Sequence, residues 1–230
     1  MSDKLKSFGF AFILCLMCSL LLTLASSGLK AYQQRNILLD QHKNLLKSVG
    51  LIDEAQRYTP VEIKTLYDKN IKKVRVDAEG TIIDDARPSD KNLKLYLYMK
   101  AGVVESYIVP IDTQGLWGKI HGYMAIEKDG STINGFTVYQ HNETPGLGGE
   151  IEKQWFQKNF VGKKIVDQKG DFVSISISRG QVKDTVKPER RINYVDGISG
   201  ATLTGKYLTT GLRQVLSGYE PVSIHFRKHR

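Results

Sequence analysis

The sequence predicts an α+β domain with one antiparallel sheet flanked by helices, carried on an N-terminal transmembrane helix. Three observations support this prediction. An uncharged apolar segment stands at the N-terminus, strand-like segments then follow one another in hairpins, and helical segments are grouped before and after them. Strands and helices that are segregated in this way are typical of α+β folds. No alternating βαβ succession or Gly-x-Gly-x-x-Gly run is present that would indicate a Rossmann fold.

The N-terminal segment has the length and composition of one transmembrane helix. Residues 8–25 form an uncharged run of eighteen residues that follows Lys4 and Lys6, and about 20 apolar residues cross a bilayer as a helix. A cleavable signal peptide is the alternative, because Ala25-Ser26-Ser27 offers small residues where a peptidase cuts. Since the apolar run is longer than the core of a usual signal peptide, the sequence favours an uncleaved anchor.

The anchor divides the chain into three predicted parts. These are a cytoplasmic tail over residues 1–7, a transmembrane helix over residues 8–27 and a periplasmic domain over residues 28–230. Basic residues lie on both sides of the apolar run, so the positive-inside rule alone does not decide the orientation. A short tail followed by a large domain nevertheless favours export of the domain. In a bacterium, this arrangement would make the chain a single-pass protein of the inner membrane with its soluble domain in the periplasm.

Periodicity then assigns the first elements of the domain. Residues 29–50 have the spacing of a helix that leaves the membrane. Leu38, Leu45 and Val49 fall on one face of this helix, and Gly50 follows as its cap. Alternating apolar residues predict strands over residues 71–83, 93–99, 103–111, 122–126, 133–140 and 172–177.

Turn residues and a second helical pattern complete the prediction. Lys100-Ala-Gly102 and Lys128-Asp-Gly130 stand between pairs of predicted strands and indicate two hairpins. Helices are expected over residues 150–160 and 202–216, and the second of them ends near Gly218.

Composition excludes several function classes. A formal net charge of +9 fits a solvated basic surface or attraction to anionic headgroups, but no basic run is interleaved with aromatic residues, so we expect no nucleic-acid partner. Cys15 and Cys18 lie in the apolar run and the five histidines are isolated, so no metal site is expected. The basic tail over residues 225–230 is predicted to be a solvated terminus.

The run Asp196-Gly-Ile-Ser-Gly-Ala-Thr202-Leu-Thr204 carries the most chemical information. Its small residues leave the backbone accessible, it supplies three hydroxyl groups, and apolar residues at helical spacing follow it. A small-residue turn that opens a helix directs free N–H groups and the positive end of the helix dipole at one point, which suits a phosphate. The alternative is structural: Ser199 caps the helix, while Gly200 and Ala201 allow tight packing.

This run resembles the flavinylation motif, Asp-x-x-Ser-Gly-Ala-Thr, of the FMN-binding domain family. The resemblance implies that Thr202 forms a phosphoester with FMN, so that the cofactor is covalent, and that a flavin transferase reads Asp196 during maturation. Thr204 is expected to be only a helix residue. Lys206 is a candidate partner of the FMN phosphate, with a simple surface position as the alternative. The other candidates in this run are Ser199, Gly200 and Ala201.

A glycine-rich loop, Glu143-Thr-Pro-Gly-Leu-Gly148, follows the strand predicted over residues 133–140. Glycines let the backbone approach a flat or charged ligand closely. An ordinary turn before the next helix is the alternative. The loop resembles the flavin-contacting loop of the same family, which implies that its residues line the isoalloxazine ring. These candidates are Glu143, Thr144, Gly146, Leu147 and Gly148.

A third block, Gly115-Leu-Trp-Gly-Lys-Ile-His-Gly122, supplies Trp117 either as a core residue or as a wall of the cofactor site. Within the FMN-binding domain family, this block resembles the NqrC component of the Na⁺-translocating NADH:quinone oxidoreductase. The other relative in the family, the FMN-carrying component of the Rnf electron-transport complex, generally lacks it in this form. The sequence over residues 150–163 also resembles NqrC.

The resemblance to NqrC implies an electron-transfer subunit that relays electrons from NADH toward ubiquinone, coupled to sodium export. It would have no complete catalytic activity alone, and its partners would be the other membrane subunits of the complex. Two alternatives stay open at this point. One is the FMN-carrying component of the Rnf complex, and the other is a membrane-anchored domain that binds a phosphate ligand without redox chemistry.

Overall fold

The fold is described from a computed structural model for residues 3–53, 55–84 and 92–228. The chain divides into two compact units, over residues 1–40 and 41–230. The first unit is helical: α1 begins at Asp3 and ends at Ser48, inside the second unit. Every described residue of α1 up to Leu38 is exposed. By length and composition α1 could cross a membrane, and the span over residues 8–27 within it stays a prediction.

The second unit begins with the last turns of α1, so the helix predicted over residues 29–50 is the C-terminal part of a longer one. Of the residues that fall on one face of this helix, Leu45 is buried in the second unit, whereas Leu38 lies in the first unit and is exposed. The helix ends where the sequence predicts. Gly50 has a φ of +71°, and the Leu51 N–H donates to the Leu46 carbonyl at 3.0 Å, which are features of a glycine-terminated helix.

Within the described ranges, six strands form one antiparallel sheet in the order β2-β1-β3-β4-β5-β6. The strands are β1 (Ile71–Val76), β2 (Ile82–Asp84), β3 (Leu93–Lys100), β4 (Val103–Gln114), β5 (Lys119–Glu127) and β6 (Ile133–Gln140). Ala101 and Gly102 both have positive φ between β3 and β4, which is the tight turn that a two-residue hairpin requires. The predicted hairpins and the α+β class are therefore confirmed, and the segment predicted over residues 71–83 forms the β1–β2 pair.

Short helices and a small parallel pair of strands complete the domain. The helices are α2 (Pro60–Asn70), α3 (Gln154–Lys158), α4 (Val182–Thr185), α5 (Thr202–Gly218) and α6 (Glu220–Lys228), and the pair is β7 (Ser176–Ile177) with β8 (Tyr194–Val195). The helix predicted over residues 150–160 is interrupted, because Lys153 is extended between a 3₁₀ turn and α3. The strand predicted over residues 172–177 shrinks to β7, because Ser174 has a φ of +66° and breaks the alternation.

The sheet carries helices on both faces. On one face, apolar residues of the strands pack against α3, α5 and α6, and this core includes Tyr107, Val109, Met124, Phe136, Phe156, Leu208, Leu212 and Leu216. On the other face, the end of α1 approaches β6, where the Thr137 hydroxyl donates to the Asn44 carbonyl at 3.3 Å. The side chains of Phe136 and Thr137 alternate between the two faces, as the pleat of β6 requires.

The C-terminal segment forms α6, and the prediction of a solvated basic terminus is wrong for Phe226 and Arg227, which are half-buried, whereas His225 and Lys228 are exposed. Val222 and Ser223 of α6 are 1% exposed, and the Phe226 ring stacks on Tyr107 with ring centroids 4.6 Å apart. Val222 and Phe226 lie one helical turn apart, so one face of α6 is apolar although most of its neighbours are polar. Because most residues of α6 are polar or basic, its composition does not indicate this narrow apolar face.

We expect Ser223→Ala to destabilise the domain, because it removes the partner of a buried hydroxyl. The hydroxyl oxygens of Tyr107 and Ser223 are 2.7 Å apart, and both residues are buried. A buried polar group that loses its hydrogen bond costs about 1–3 kcal/mol. Urea unfolding measures this cost, and the double variant with Tyr107→Phe should recover most of it. Equal stability of Ser223→Ala and wild type would contradict the expectation.

Candidate functional site

The three sequence blocks meet at the side chain of Glu143. This residue follows β6 and is 4% exposed. One carboxylate oxygen, Oε1, accepts the backbone N–H of Trp117 at 3.1 Å, and the other, Oε2, accepts the Thr204 hydroxyl at 2.5 Å. The carboxylate therefore connects the β4–β5 loop with the first turn of α5, which lies 61 residues further along the chain.

Two glycines from the predicted blocks close over this carboxylate. A Cβ atom at Gly115 would lie 2.6 Å from Glu143 Oε1, and a Cβ at Gly148 would lie 2.8 Å from Oε2 and 2.4 Å from the Thr204 hydroxyl oxygen. Real Cβ contacts are longer than this, so neither position has space for a side chain. The glycines of these loops thus allow close packing around Glu143.

The N-terminus of α5 has no side-chain cap. Its N-cap is Ala201, and the Ser199 side chain does not bond to the first turn, so the alternative in which Ser199 caps the helix is wrong. Gly200 precedes it with a φ of +74°. Thr202, the first residue of the helix, is exposed. A 17-residue helix therefore presents its open N–H groups and dipole beside an accessible hydroxyl.

The glycine-rich loop forms a Pro-Gly turn. The Leu147 N–H donates to the Thr144 carbonyl at 3.1 Å, and Gly146 has a φ of +74° at the third position of the turn. Thr144 and Leu147 are exposed. Gly200 packs on Leu147, since a Cβ there would lie 2.8 Å from Leu147 Cδ2. The turn therefore contacts the loop that leads into Thr202.

Several large apolar side chains of the site loops and of α5 face solvent. Trp117 is 68% exposed, so its alternative as a core residue is wrong. Leu147 is 43% exposed and Leu203, next to Thr202, is 55% exposed. These side chains therefore leave apolar surface accessible next to the glycine-rich loop and the start of α5.

The remaining predicted residues, Asp196, Lys206 and Ser199, lie outside the hydrogen-bond network of Glu143. Asp196 is partly buried, and its Oδ1 accepts the backbone N–H of Val182 at 2.6 Å, so this side chain holds the start of α4. Lys206 is exposed and stands one turn after Thr202 on the same side of α5. Ser199 is also exposed. Within the described ranges, no group of three or more His, Cys, Asp or Glu residues is arranged to hold a metal ion.

Two further residues belong to this arrangement, and sequence reasoning missed the role of one of them, Thr204. Thr204 was expected to be only a helix residue, but it is 3% exposed and bonded to Glu143. His141 supports the same loop: its Nδ1 accepts the Glu143 backbone N–H at 3.1 Å, and its Nε2 lies 3.3 Å from Glu152 Oε2. The signal for Thr204 was its position on the buried face of α5, where a hydroxyl requires a partner.

Comparison with known proteins gives consistent results. Residues 115–217 match the family model of the FMN-binding domain, and this range contains all three blocks of the site. The NqrC component of the Na⁺-translocating NADH-quinone reductase of Yersinia pestis is 33% identical over 84% of this chain and 80% of that protein. The same component in Pseudomonas aeruginosa is 31% identical over 85% of each chain.

Solved structures agree with the sequence comparison. The crystal structure of NqrC from the Na⁺-translocating NADH-quinone reductase of Parabacteroides distasonis matches with a TM-score of 0.71 and 29% sequence identity. The match covers 85% of this chain and 96% of that chain. From the agreement of sequence and fold, the chain belongs to the NqrC family of Na⁺-translocating NADH-quinone reductase subunits.

Proposed function

We propose that this chain is the electron-transfer subunit of a Na⁺-translocating NADH:quinone reductase, and that it carries FMN as a phosphoester on Thr202. One observation carries the proposal: Thr202 is exposed at the uncapped N-terminus of α5. When bound, FMN supplies the redox chemistry by which electrons pass from NADH toward ubiquinone. The chain itself binds and orients that group, and sodium translocation belongs to other subunits of the complex.

The start of α5 suits the phosphate of FMN. Its open N–H groups and positive dipole end stabilise an anion, and Lys206 adds a mobile cation one turn away. Ser199, Gly200 and Ala201 leave little side-chain bulk before the helix. Covalent attachment forms a bond from Thr202 Oγ to phosphorus, while a flavin dinucleotide loses its nucleoside monophosphate, which takes the hydroxyl proton. A flavin transferase would catalyse this step during maturation.

The exposed apolar residues suit the flavin ring. Leu147 and Trp117 offer apolar surface, and Thr144 with the backbone of Gly146 offers polar groups for the ring edge. We assign Asp196 an indirect role, because its carboxylate already holds the start of α4 and supports the loop that the transferase would read. Glu143 and Gly148 lie beneath this surface, since both are buried.

The cellular arrangement follows from the apolar helix. We place the chain in the bacterial inner membrane with residues 8–27 of α1 as its single span and the domain in the periplasm. The covalent bond supports this orientation, because a dissociated cofactor would be lost outside the cytoplasm. The other membrane subunits of the reductase would donate and accept the electrons.

The test is whether flavin stays with the unfolded polypeptide. The chain is expressed with its flavin transferase, denatured, and separated on a gel that is inspected for flavin fluorescence. We expect a fluorescent band that depends on the transferase. A band without fluorescence would favour a domain that holds a phosphate ligand without redox chemistry. Co-purification with other subunits of the reductase, rather than with those of an Rnf complex, would separate the two flavin-carrying alternatives.

A further inference from the structure

We propose that Glu143 is a positioning residue: its buried carboxylate fixes the first turn of α5 against the loop over residues 115–118 and does not itself touch the bound flavin. The inference deepens the proposed function and rests on it for the identity of the ligand. It changes the role that the sequence suggests for Glu143, which is to line the flavin ring.

Both carboxylate oxygens of Glu143 accept a hydrogen bond within the protein, and the residue is almost fully shielded from solvent. Oε1 accepts the Trp117 N–H and Oε2 accepts the Thr204 hydroxyl. The side chain is 4% exposed, and Gly115 and Gly148 lie against its two oxygens. A group that is enclosed in this way can act on a surface ligand only through the elements that it holds.

The elements that Glu143 holds are those that carry the candidate ligand contacts. Thr204 is two residues after Thr202 in the same helical turn, so its hydrogen bond fixes the direction in which that turn faces. Trp117 is bonded through its backbone, which leaves its indole exposed. The carboxylate therefore sets the distance between the attachment hydroxyl and the aromatic surface.

The charge of the carboxylate makes this connection strong. The Trp117 N–H and the Thr204 hydroxyl are both neutral donors, and hydrogen bonds to a charged acceptor are roughly twice as strong as neutral ones. The carboxylate also lies under the first turn of α5, where the helix dipole stabilises negative charge. Alanine at position 143 removes both bonds, whereas glutamine keeps an acceptor for Trp117 and a donor for the Thr204 oxygen.

The test compares disruptive and conservative variants of the two partners. Glu143→Ala and Thr204→Val should slow flavin attachment to Thr202 by about tenfold or more, the scale of one lost hydrogen bond to a charged group. Glu143→Gln and Thr204→Ser should recover most of the rate. Thr210→Val, on the exposed side of α5, is the matched control and should attach flavin at the wild-type rate.

A second readout separates positioning from direct contact. If Glu143 acts only by position, Glu143→Gln should leave the visible circular dichroism of the attached flavin unchanged while Thr204→Val alters it. The reverse pattern, a spectrum changed by Glu143→Gln and untouched by Thr204→Val, would overturn the proposal. Thermal unfolding of every variant shows whether the domain is folded. If Glu143→Ala does not fold, the comparison of Thr204→Val with Thr204→Ser tests the positioning role instead.

A third readout does not depend on flavin at all. Hydrogen exchange of the Trp117 amide in the full chain, without flavin, should be about tenfold or more faster in Glu143→Ala than in wild type. If wild type takes up no covalent flavin, the proposed function fails while this measurement still tests the positioning role. An unchanged exchange rate in Glu143→Ala would refute it.

Discussion

Replacing Thr202 with alanine should abolish covalent flavin, and replacing it with serine should preserve it. The reason is chemical: the phosphoester requires a hydroxyl oxygen at the first position of α5, and serine supplies one without the methyl group. Thr202 is exposed, so neither change should disturb the fold. Fluorescence of the denatured polypeptide, after expression with the transferase, measures the attached flavin.

The control for this result must be another threonine on the same helix. Thr204→Ala is unsuitable, because Thr204 is buried and bonded to Glu143 and has an expected effect of its own. Thr210→Ala is suitable, because Thr210 is exposed and bonds only locally, to the Lys206 carbonyl at 3.1 Å. We expect Thr210→Ala to fluoresce like wild type. Retention of fluorescence in Thr202→Ala would show that another residue carries the flavin.

Gly211→Ala should be the most destabilising small substitution on α5, although alanine favours helices. A Cβ at Gly211 would lie 1.6 Å from the Thr113 hydroxyl oxygen and 2.5 Å from Thr113 Cβ, so rotating the threonine side chain cannot relieve the overlap. α5 would have to move away from β4. Overpacking costs about 1–3 kcal/mol and occasionally more, which outweighs a gain of about 1 kcal/mol from helix propensity.

Gly218→Ala, at the end of the same helix, is the matched control for this prediction. Its Cβ would lie 3.8 Å from Leu93 Cδ1, an ordinary contact. We expect this variant to be as stable as wild type, or more stable by up to about 1 kcal/mol. Urea unfolding of the detergent-solubilised protein, followed by tryptophan fluorescence, compares the two. A Gly211→Ala variant as stable as wild type would show that α5 is not closely packed on β4.

The loss of stability in Gly211→Ala should also affect the proposed flavin site. Gly211 lies on the buried face of α5, and Thr204 lies on the same helix beside Glu143. A shift of α5 therefore strains the bond between Thr204 and Glu143. We expect slower flavin attachment in this variant, whereas Gly218→Ala should attach flavin at the wild-type rate.

The sheet and the start of α5 could be predicted because local chemistry determines them. Alternation and turn residues such as Ala101-Gly102 mark the hairpins, and the small residues before Thr202 mark the start of the helix. α6 was missed for the opposite reason. Its basic composition suggests solvent, and only the packing of Phe226 on Tyr107 reveals its buried face.

The site was predicted block by block, but its connections were not. The contacts that join the blocks span 26 residues from Trp117 to Glu143 and 61 from Glu143 to Thr204. No local pattern encodes a hydrogen bond at such a separation. The resemblance to known flavin sites therefore supplies the surface residues that we propose, whereas the buried carboxylate beneath them emerges only from the fold.

The central claim is that one oxygen, on Thr202, carries the flavin. Mass spectrometry of the protein expressed with its transferase, followed by proteolysis, tests it most directly. We predict that the intact chain gains the mass of one FMN less one water, and that fragmentation assigns this gain to Thr202. An unmodified Thr202 peptide, or the same gain on Ser199 or Thr204, would contradict the account.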